Sequence, residues 1–230
     1  MTAVIMAGGD GLRCRPLTLT VPKPMLAVGG KPLLDTLIRQ LVASGFETLF
    51  IVVRYLAEQI EDYFGNGDRF GCDIIYLREP EPYGTVGGLS LLPLGLRPSA
   101  PFLVVNADLL TPMHFRAVRA CHVIDGNALT LVGREYEHTV PYGMPEGVGN
   151  TVTAFLEKPT IGFTVNSGIY CLNPELLDAI PHAPYDMPDL IRWTCGRMKV
   201  GMFNLKQPFH EIGTPESYAK AEAFYEEHMR

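Results

Sequence analysis

MTAVIMAGGDGLRCRPLTLTVPKPM, residues 1–25, is the stretch that decides the fold. Ala3–Ala7 is a short apolar run of the kind that a buried strand needs. The run breaks at once into Gly8, Gly9 and Gly11. Glycines after a first strand allow the backbone to turn sharply and to bring its N–H groups close to a ligand. The stretch therefore predicts a β-strand followed by a loop that can approach a bound group closely.

The same loop carries three cations, Arg13, Arg15 and Lys23. Pro22 and Pro24 restrict the backbone on both sides of Lys23 and so limit where its ammonium group can point. The glycines alone are also compatible with an ordinary strand-to-helix turn whose basic residues are solvated. Glycines, cations and a stiff segment together favour a site for a polyanion such as a nucleoside triphosphate. The motif is neither a P-loop nor the G-x-G-x-x-G of a dinucleotide fold.

Helix and strand patterns alternate after this loop. Helices are predicted at Pro32–Ser44 and Ala57–Phe64, and buried strands at Thr48–Val53 and Asp73–Leu77. The order strand, helix, strand, helix, strand is that of a three-layer α/β/α fold with a parallel sheet in the middle. Later segments continue it, with strands at Pro101–Val105, Ala128–Gly133, Val152–Phe155 and Val200–Leu205 and helices at Phe115–Asp125, Pro174–Ile180 and from Tyr185. We therefore predict an α/β fold with a Rossmann-like, mixed but mostly parallel sheet.

The composition is that of a globular protein with a sizeable core. The chain has 230 residues, 47% of them hydrophobic, which suffices for one large domain. A formal net charge of −6 gives nucleic-acid binding no electrostatic support. No apolar stretch approaches the roughly 20 residues of a membrane span. Five scattered cysteines without a C-x-x-C pair favour free thiols. We predict a cytoplasmic protein with no nucleic-acid or membrane partner.

Two further stretches can contact a nucleotide. Residues 79–89, E-P-E-P-Y-G-T-V-G-G-L, contain Gly84 and Thr85 and can approach a flat base or ribose; the alternative is a surface loop that opens a helix at about Gly87. Asp108 follows a buried strand and Asn106, where α/β sheets bind ligands. It can be a helix N-cap, but opposite a cationic phosphate loop it can also hold Mg²⁺.

The first motif, A-G-G-x-G-x-R-x-R-P-L-T (7–18) followed by P-K-P-M (22–25), resembles the sugar-nucleotidyltransferase family. Members join a nucleoside triphosphate to a sugar 1-phosphate and release pyrophosphate. Further matches are G-T-V-G-G (84–88), V-P-Y-G (140–143), E-K-P (157–159), N-S-G-I-Y (166–170) and F-H-E-I-G-T-P-E-S-Y (209–218). The resemblance runs from residue 3 to about residue 225, and so covers nearly the whole chain.

The resemblance implies a role for each matching residue. Arg13 and Lys23 are expected to be catalytic, and Asp108 and Glu211 to hold Mg²⁺. Nucleotide-binding positions are Ala7, Gly8, Gly9, Gly11, Arg13, Gly84, Thr85 and Asn106. Sugar-phosphate-binding positions are Gly143, Glu157, Lys158 and Asn166. The partners would be a nucleoside triphosphate, a sugar 1-phosphate and a second copy in a homodimer. Residues 1–230 would form one domain, with a nucleotide-binding part over about 1–133 and a small sugar-binding lobe and C-terminal part over about 134–230.

Three positions depart from the family pattern. Leu12 replaces a usual Thr, Glu211 replaces a usual Asp, and His210 replaces a usually apolar residue, for which we predict no role. Two functions follow: a nucleotidyltransferase, or a non-catalytic relative that binds a nucleotide-sugar. For the enzyme, residues 134–143 and 186–190 resemble those of bacterial guanylyltransferase-like members, which implies GTP with a mannose-, heptose- or glucosamine-type 1-phosphate. UTP, dTTP or CTP is the alternative.

Overall fold

The computed structural model describes residues 1–230. The strands are β1 (Thr2–Met6), β2 (Ala27–Val28), β3 (Lys31–Pro32), β4 (Thr48–Val53), β5 (Asp73–Arg78), β6 (Phe102–Asn106), β7 (Leu109–Leu110), β8 (Leu129–Thr139), β9 (Met144–Val148), β10 (Thr151–Leu156), β11 (Thr160–Leu172), β12 (Val200–Leu205) and β13 (His210–Glu211). The α-helices are α1 (Leu33–Ala43), α2 (Ala57–Phe64), α3 (Arg116–Asp125), α4 (Met187–Cys195) and α5 (Pro215–His228). Short 3-10 helices cover Leu12–Cys14, Lys23–Met25, Asp68–Phe70, Gly87–Leu91, Leu94–Leu96 and Pro174–Ala179.

The central sheet has seven strands in the order β12-β8-β11-β6-β1-β4-β5. β11 runs antiparallel to both of its neighbours, and every other neighbouring pair is parallel. Successive side chains of a strand point to opposite faces of a sheet, so in β1 Ala3 and Ile5 enter one apolar core and Val4 the other. Helices α1, α2 and α3 pack on the first core and α4 on the second. The predicted three-layer, mixed and mostly parallel sheet is confirmed.

The sheet extends beyond its buried centre into a small exposed lobe. The sequence analysis predicted a strand that ends at Gly133, whereas β8 continues to Thr139 with its last residues exposed. It pairs there with the first half of β11, a strand that the sequence analysis did not predict. The hairpin of β9 and β10 completes the lobe. Its turn is Gly149–Asn150.

Two segments form 3-10 helices. The segment from Pro174, predicted as a helix, is a 3-10 helix that ends at Ala179, and the alternative of a helix that begins at about Gly87 corresponds to a 3-10 helix that ends at Leu91. Both lie on the apolar core on the α4 side of the sheet, into which Leu89, Leu176 and Leu177 are buried. None of the helices combines the length and the apolar character that crossing a membrane requires.

His122 is a buried titratable group that belongs to this packing. Its side chain on α3 is 1% exposed, with Nδ1 2.9 Å from the Thr130 hydroxyl and Nε2 3.0 Å from Asn173 Oδ1. Burial lowers the pKa of His122; the hydrogen bond with Asn173 opposes this shift and nearby Arg119 adds to it. The unfolded chain therefore binds this proton more readily than the folded chain. The stability linked to His122 is present above the unfolded pKa of about 6.5 and is lost as the pH falls below it.

We expect His122→Gln to flatten the decline in unfolding free energy that wild-type protein shows as the pH falls from about 6.5 to 5. At higher pH the variant should be less stable by about 1–3 kcal/mol, because buried partners lose a hydrogen bond. Denaturant unfolding at a series of pH values measures both effects. His114→Gln, at an exposed position, should keep the wild-type slope. An unchanged slope in His122→Gln would contradict the assignment.

Candidate active site

The loop that contains Gly8, Gly9 and Gly11, called the glycine loop below, leaves β1 at the carboxyl edge of the sheet. Ala7 still donates a backbone hydrogen bond to Val52 (2.9 Å), and the chain then turns away. A Cβ atom at Gly8 would lie 2.7 Å from Glu79 Oε2, so the absence of a side chain at Gly8 makes room for that carboxylate. Farther along the loop, Thr18 is buried and its hydroxyl donates to the Gly11 carbonyl (2.8 Å). The loop is thus fixed at its start by the sheet and at its far end by a buried threonine.

Lys23 and Asp108 form an ion pair across the site. The distance between Lys23 Nζ and Asp108 Oδ2 is 2.5 Å, and the two side chains are 16% and 18% exposed. Lys23 opens a one-turn 3-10 helix that follows Pro22 and contains Pro24. Asp108 lies just beyond the end of β6. Residues that are 85 positions apart in the chain thus meet in one ion pair.

This pair lies in the wall of a cavity of about 330 Å³ at the carboxyl ends of β1, β4, β5 and β6. Eight of the lining residues were predicted from the sequence as site residues: Ala7, Gly8, Gly9, Lys23, Gly84, Thr85, Asn106 and Asp108. Those predicted positions that lie elsewhere are Gly11, Arg13, Gly143, Glu157, Lys158, Asn166 and Glu211. The structure therefore brings the glycine loop, the lysine, the 84–85 loop and one carboxylate to a common space.

The loop at Gly84 and Thr85 is held by the start of α4. Asp186 Oδ1 accepts hydrogen bonds from the Thr85 backbone N–H (2.9 Å) and hydroxyl (3.1 Å). Met187 in turn donates its backbone N–H to the Thr85 hydroxyl (2.8 Å). A Cβ atom at Gly84 would lie 2.7 Å from the Tyr185 carbonyl, and φ at Gly84 is +77°. One wall of the cavity is thus fastened to a segment about 100 residues away.

Arg54 and Glu79 line the cavity but were not predicted as site residues. Arg54 directly follows β4 and Glu79 directly follows β5. The rule that placed Asp108 at the carboxyl edge applies to them equally, so this signal was available in the sequence. Arg54 Nη2 donates to Asp10 Oδ1 (2.6 Å) and so ties the glycine loop to the end of β4.

Glu79 is a buried carboxylate with spare hydrogen-bonding capacity. Its side chain is 4% exposed, and Arg54 Nε lies 3.9 Å from Oε2, beyond hydrogen-bond distance. Oε1 has no hydrogen-bond partner. Burial raises the pKa of Glu79 to about 7, although Arg54 opposes this shift. The cavity thus contains a carboxyl group that titrates near neutral pH.

Arg13 and Glu211 line a second, more open cavity of about 500 Å³ together with Arg134 and Lys220. A Cβ atom at Gly213 would lie 3.7 Å from Arg13 Nη2 and 3.7 Å from Glu211 Oε1, so both side chains approach the same glycine. The main chain connects this region to Asp108. Glu211 in β13 pairs with Leu109 in β7, and Ile212 donates its N–H to the Asp108 carbonyl (2.9 Å).

His210 and Leu12 are the other two residues that depart from the family pattern. His210 Nε2 lies 2.7 Å from the Ser217 carbonyl, and its ring stacks on Phe224 with centroids 5.3 Å apart. It thus packs against α5. Leu12 is 59% exposed in the glycine loop, where a Thr would present a hydroxyl group.

The lobe carries the four predicted sugar-phosphate positions. A Cβ atom at Gly143 would lie 2.3 Å from Phe155 Cζ and 3.0 Å from Glu157 Oε2, so these residues are close together. Lys158 is exposed in the turn between β10 and β11, with φ at +46°.

Asn166 connects the lobe to the first cavity. Its Nδ2 donates to the Tyr170 hydroxyl (2.5 Å), and its Oδ1 accepts from the Gly168 N–H (3.2 Å). A Cβ atom at Gly168 would lie 2.5 Å from Nδ2 of Asn106, which lines the first cavity. Asn166 is therefore linked through Gly168 to a residue that lines that cavity.

Comparison with known proteins identifies relatives of this chain. The family model described as Nucleotidyl transferase matches residues 2–228. Proteins named mannose-1-phosphate guanyltransferase from Kluyveromyces lactis and Neurospora crassa are 31% and 32% identical over 237 aligned positions, and each alignment covers 98% of this chain. The chain spans 64% of the length of these curated relatives.

Among solved structures, HddC from Yersinia pseudotuberculosis in complex with GMP-PN superposes with a TM-score of 0.76 and 26% identity, covering 97% of this chain and 99% of HddC. A putative glucose-1-phosphate thymidylyltransferase from Bacillus anthracis has a TM-score of 0.79 at 18% identity, over 97% of this chain and 95% of its own, which shows the fold alone. The match to residues 2–228 and the two relatives above 30% identity lead to one conclusion: this chain belongs to the nucleotidyl transferase family.

Proposed function

We propose that this chain transfers a guanylyl group from GTP to a sugar 1-phosphate, giving a GDP-sugar and pyrophosphate. The observation that carries the proposal is the Lys23–Asp108 ion pair, in the wall of a cavity that the glycine loop and the 84–85 loop also line. The relatives named mannose-1-phosphate guanyltransferase and the HddC complex with GMP-PN support GTP, and the former support mannose 1-phosphate as the first acceptor to test.

The reaction would be a single in-line displacement at the α-phosphorus of GTP. An oxygen of the sugar 1-phosphate attacks, the bond to the β-phosphate oxygen breaks, and pyrophosphate leaves. Such transfers depend on positioning and on charge neutralisation more than on covalent catalysis. A phosphate nucleophile is already ionised near neutral pH, so the step needs no general base.

Each predicted residue has a place in this step. Lys23 would neutralise the α-phosphate and the incoming sugar phosphate, and Arg13 would neutralise the departing pyrophosphate. Lys158 would position the nucleophile, and Glu157, Gly143 and Asn166 would contact the sugar. The residues nearest to the sugar would then come from the lobe, and the nucleotide contacts would come from the edge of the sheet. We therefore propose a nucleotide-binding part over about 1–133 and a sugar-binding part over about 134–230.

Two carboxylates are available for a divalent cation. Mg²⁺ prefers oxygen ligands and is usually held by one or two carboxylates together with substrate phosphates. Asp108 and Glu211 meet this requirement, because the hydrogen bond from Ile212 to Asp108 holds their main chains side by side. We propose that they hold Mg²⁺, which would draw negative charge from the α-phosphate.

Two finer predictions complete the proposal. All five cysteines are free thiols in the structure, which is typical of a reducing compartment and supports a cytoplasmic location. The homodimer stays a prediction, which light scattering of the purified protein would test.

The function is tested by pyrophosphate release from five triphosphates (ATP, GTP, CTP, UTP and dTTP) against several sugar 1-phosphates in the presence of Mg²⁺. We expect release with GTP, and a decrease in kcat/KM of at least about 100-fold in Lys23→Ala, because a charge that neutralises the transition state is lost. Lys199→Ala, at an exposed position outside both cavities, should keep wild-type activity.

Other outcomes separate the alternatives. Release with UTP, dTTP or CTP and not with GTP would replace the proposed base. No release with any triphosphate, from folded protein that still binds a nucleotide, would favour the non-catalytic binding relative. Glu211→Asp would then show whether restoring the shorter carboxylate of the family pattern restores turnover.

The hydrogen bonds that Asp186 accepts from Thr85 lead to a separate prediction. Asp186→Ala removes the acceptor that fixes one wall of the cavity, so we expect GTP affinity to fall by about tenfold, the size of one hydrogen bond to a charged group. Titration calorimetry measures the affinity. The control is Asp189→Ala, because Asp189 lies on the same helix and forms an exposed ion pair with Arg192. Equal GTP affinity in the two variants would show that Asp186 does not position the loop.

A further inference from the structure

The segment that leads from β4 into α2 holds the far end of the glycine loop. Tyr55 donates its hydroxyl to the carbonyls of Thr18 and Leu19, each at 3.0 Å. Gln59, in the first turn of α2, donates its side-chain N–H to the Thr20 carbonyl (2.8 Å). Three successive carbonyl groups of the loop are therefore hydrogen-bonded to two side chains of one short segment.

The same segment also holds the beginning of the loop. Arg54 donates to Asp10 Oδ1 (2.6 Å), so hydrogen bonds from this segment flank the part of the loop that carries Arg13. Leu56, at the turn into the helix, has φ at +51°. A side chain other than glycine is strained in this region, and such strain persists only where the surrounding structure holds it. The turn thus keeps an unfavourable conformation while it presents Arg54 and Tyr55 to the loop.

A short series of hydrogen bonds connects Tyr55 to Arg13. The Tyr55 hydroxyl holds the Thr18 carbonyl, and the buried Thr18 hydroxyl donates to the Gly11 carbonyl (2.8 Å). The Gly11 carbonyl also accepts the Cys14 N–H (2.9 Å), which closes the one-turn 3-10 helix that contains Arg13. A shift of Thr18 would therefore move the Gly11 carbonyl and, with it, the turn that directs the Arg13 side chain.

We propose that Tyr55 is a positioning residue for the triphosphate, because it fixes the glycine loop and the Arg13 turn in the conformation that binds the β- and γ-phosphates. Neither Tyr55 nor Thr18 lines the first or the second cavity, so both act through the loop and not by contact with the ligand. This inference rests on the proposed function for the location of the triphosphate. The affinity of a site falls in proportion to the fraction of molecules in which the site is competent to bind, and the Tyr55 hydroxyl raises that fraction.

The test compares the affinities for GTP and GMP in the presence of Mg²⁺ and without a sugar 1-phosphate, so that it does not depend on turnover. The two nucleotides differ only in the β- and γ-phosphates. Tyr55→Phe removes the hydroxyl and keeps the ring. We expect this variant to bind GTP about five- to tenfold more weakly than wild-type protein, the size of one hydrogen bond, and to keep the wild-type affinity for GMP. Titration calorimetry measures both affinities. If pyrophosphate release selects another base, the triphosphate and monophosphate of that base are used.

Tyr63→Phe is the matched control, because Tyr63 also lies on α2 and its hydroxyl donates to Asp35 (3.3 Å), away from the loop. It should keep the wild-type ratio of GTP affinity to GMP affinity. Thr18→Val keeps the shape of the side chain and removes the next hydroxyl of the series, so it should lower this ratio as Tyr55→Phe does. Because the two hydroxyl groups act in series, the double variant should lose no more GTP affinity than the weaker-binding single variant.

Each outcome decides one proposal. A folded Tyr55→Phe variant that keeps the wild-type ratio of GTP affinity to GMP affinity would overturn the positioning role, whatever its loss of unfolding free energy. Wild-type protein that binds GTP no more tightly than GMP would also overturn it, and this result needs no variant to fold. Protein that shows the expected binding pattern but never releases pyrophosphate would support the role of Tyr55 and contradict the proposed reaction, so the two failures are distinguishable.

Discussion

The parallel arrangement of β1, β4, β5 and β6 is the constraint on which the site depends. Strands that run in one direction end at one edge of the sheet, so the residues that follow them are brought together whatever their separation in the chain. Gly8, Arg54, Glu79 and Asp108 share one cavity for this reason. Lys23 comes from a loop, and its ion pair with Asp108 fastens that loop to the same edge.

Close contact of the backbone with carboxyl groups is the second feature of the cavity. Gly8 and Gly88 lie against the carboxyl group of Glu79, and Gly84 lies against the Tyr185 carbonyl and the Asp186 carboxylate. The glycines thus serve packing as well as ligand approach: they allow three separate segments to meet without a side chain between them. An alanine at Gly84 would meet the Tyr185 carbonyl of the main chain at 2.7 Å and would require φ near +77°, so it would strain this contact even in the free protein.

Much of the fold could be predicted because strand and helix patterns repeat in order from Ala3 to Asp125. The antiparallel β11 could not, because one half of it is exposed and the other buried, and a bulge between Asn166 and Tyr170 separates the halves. No single periodicity describes such a strand. Arg54 and Glu79 were missed for a different reason. Arg54 lies in none of the quoted stretches, and Glu79 begins the stretch 79–89, from which only Gly84 and Thr85 were selected. Arg13 and Glu211 line a second cavity, and the pairing of β7 with β13 connects the main chain there to Asp108.

The charges that line the first cavity explain why Lys23 alone would not suffice for a triphosphate. The charged residues that line the first cavity are Lys23, Arg54, Glu79 and Asp108, so with Glu79 ionised the cations and the carboxylates balance. A triphosphate of about four negative charges would therefore meet no net positive charge there, and Lys23 is already paired with Asp108. Under the proposed function, additional positive charge would come from Arg13 in the second cavity and from a cation that the carboxylates attract. The internal neutralisation of Lys23 is thus an electrostatic argument for the proposed Mg²⁺, independent of any resemblance to other proteins.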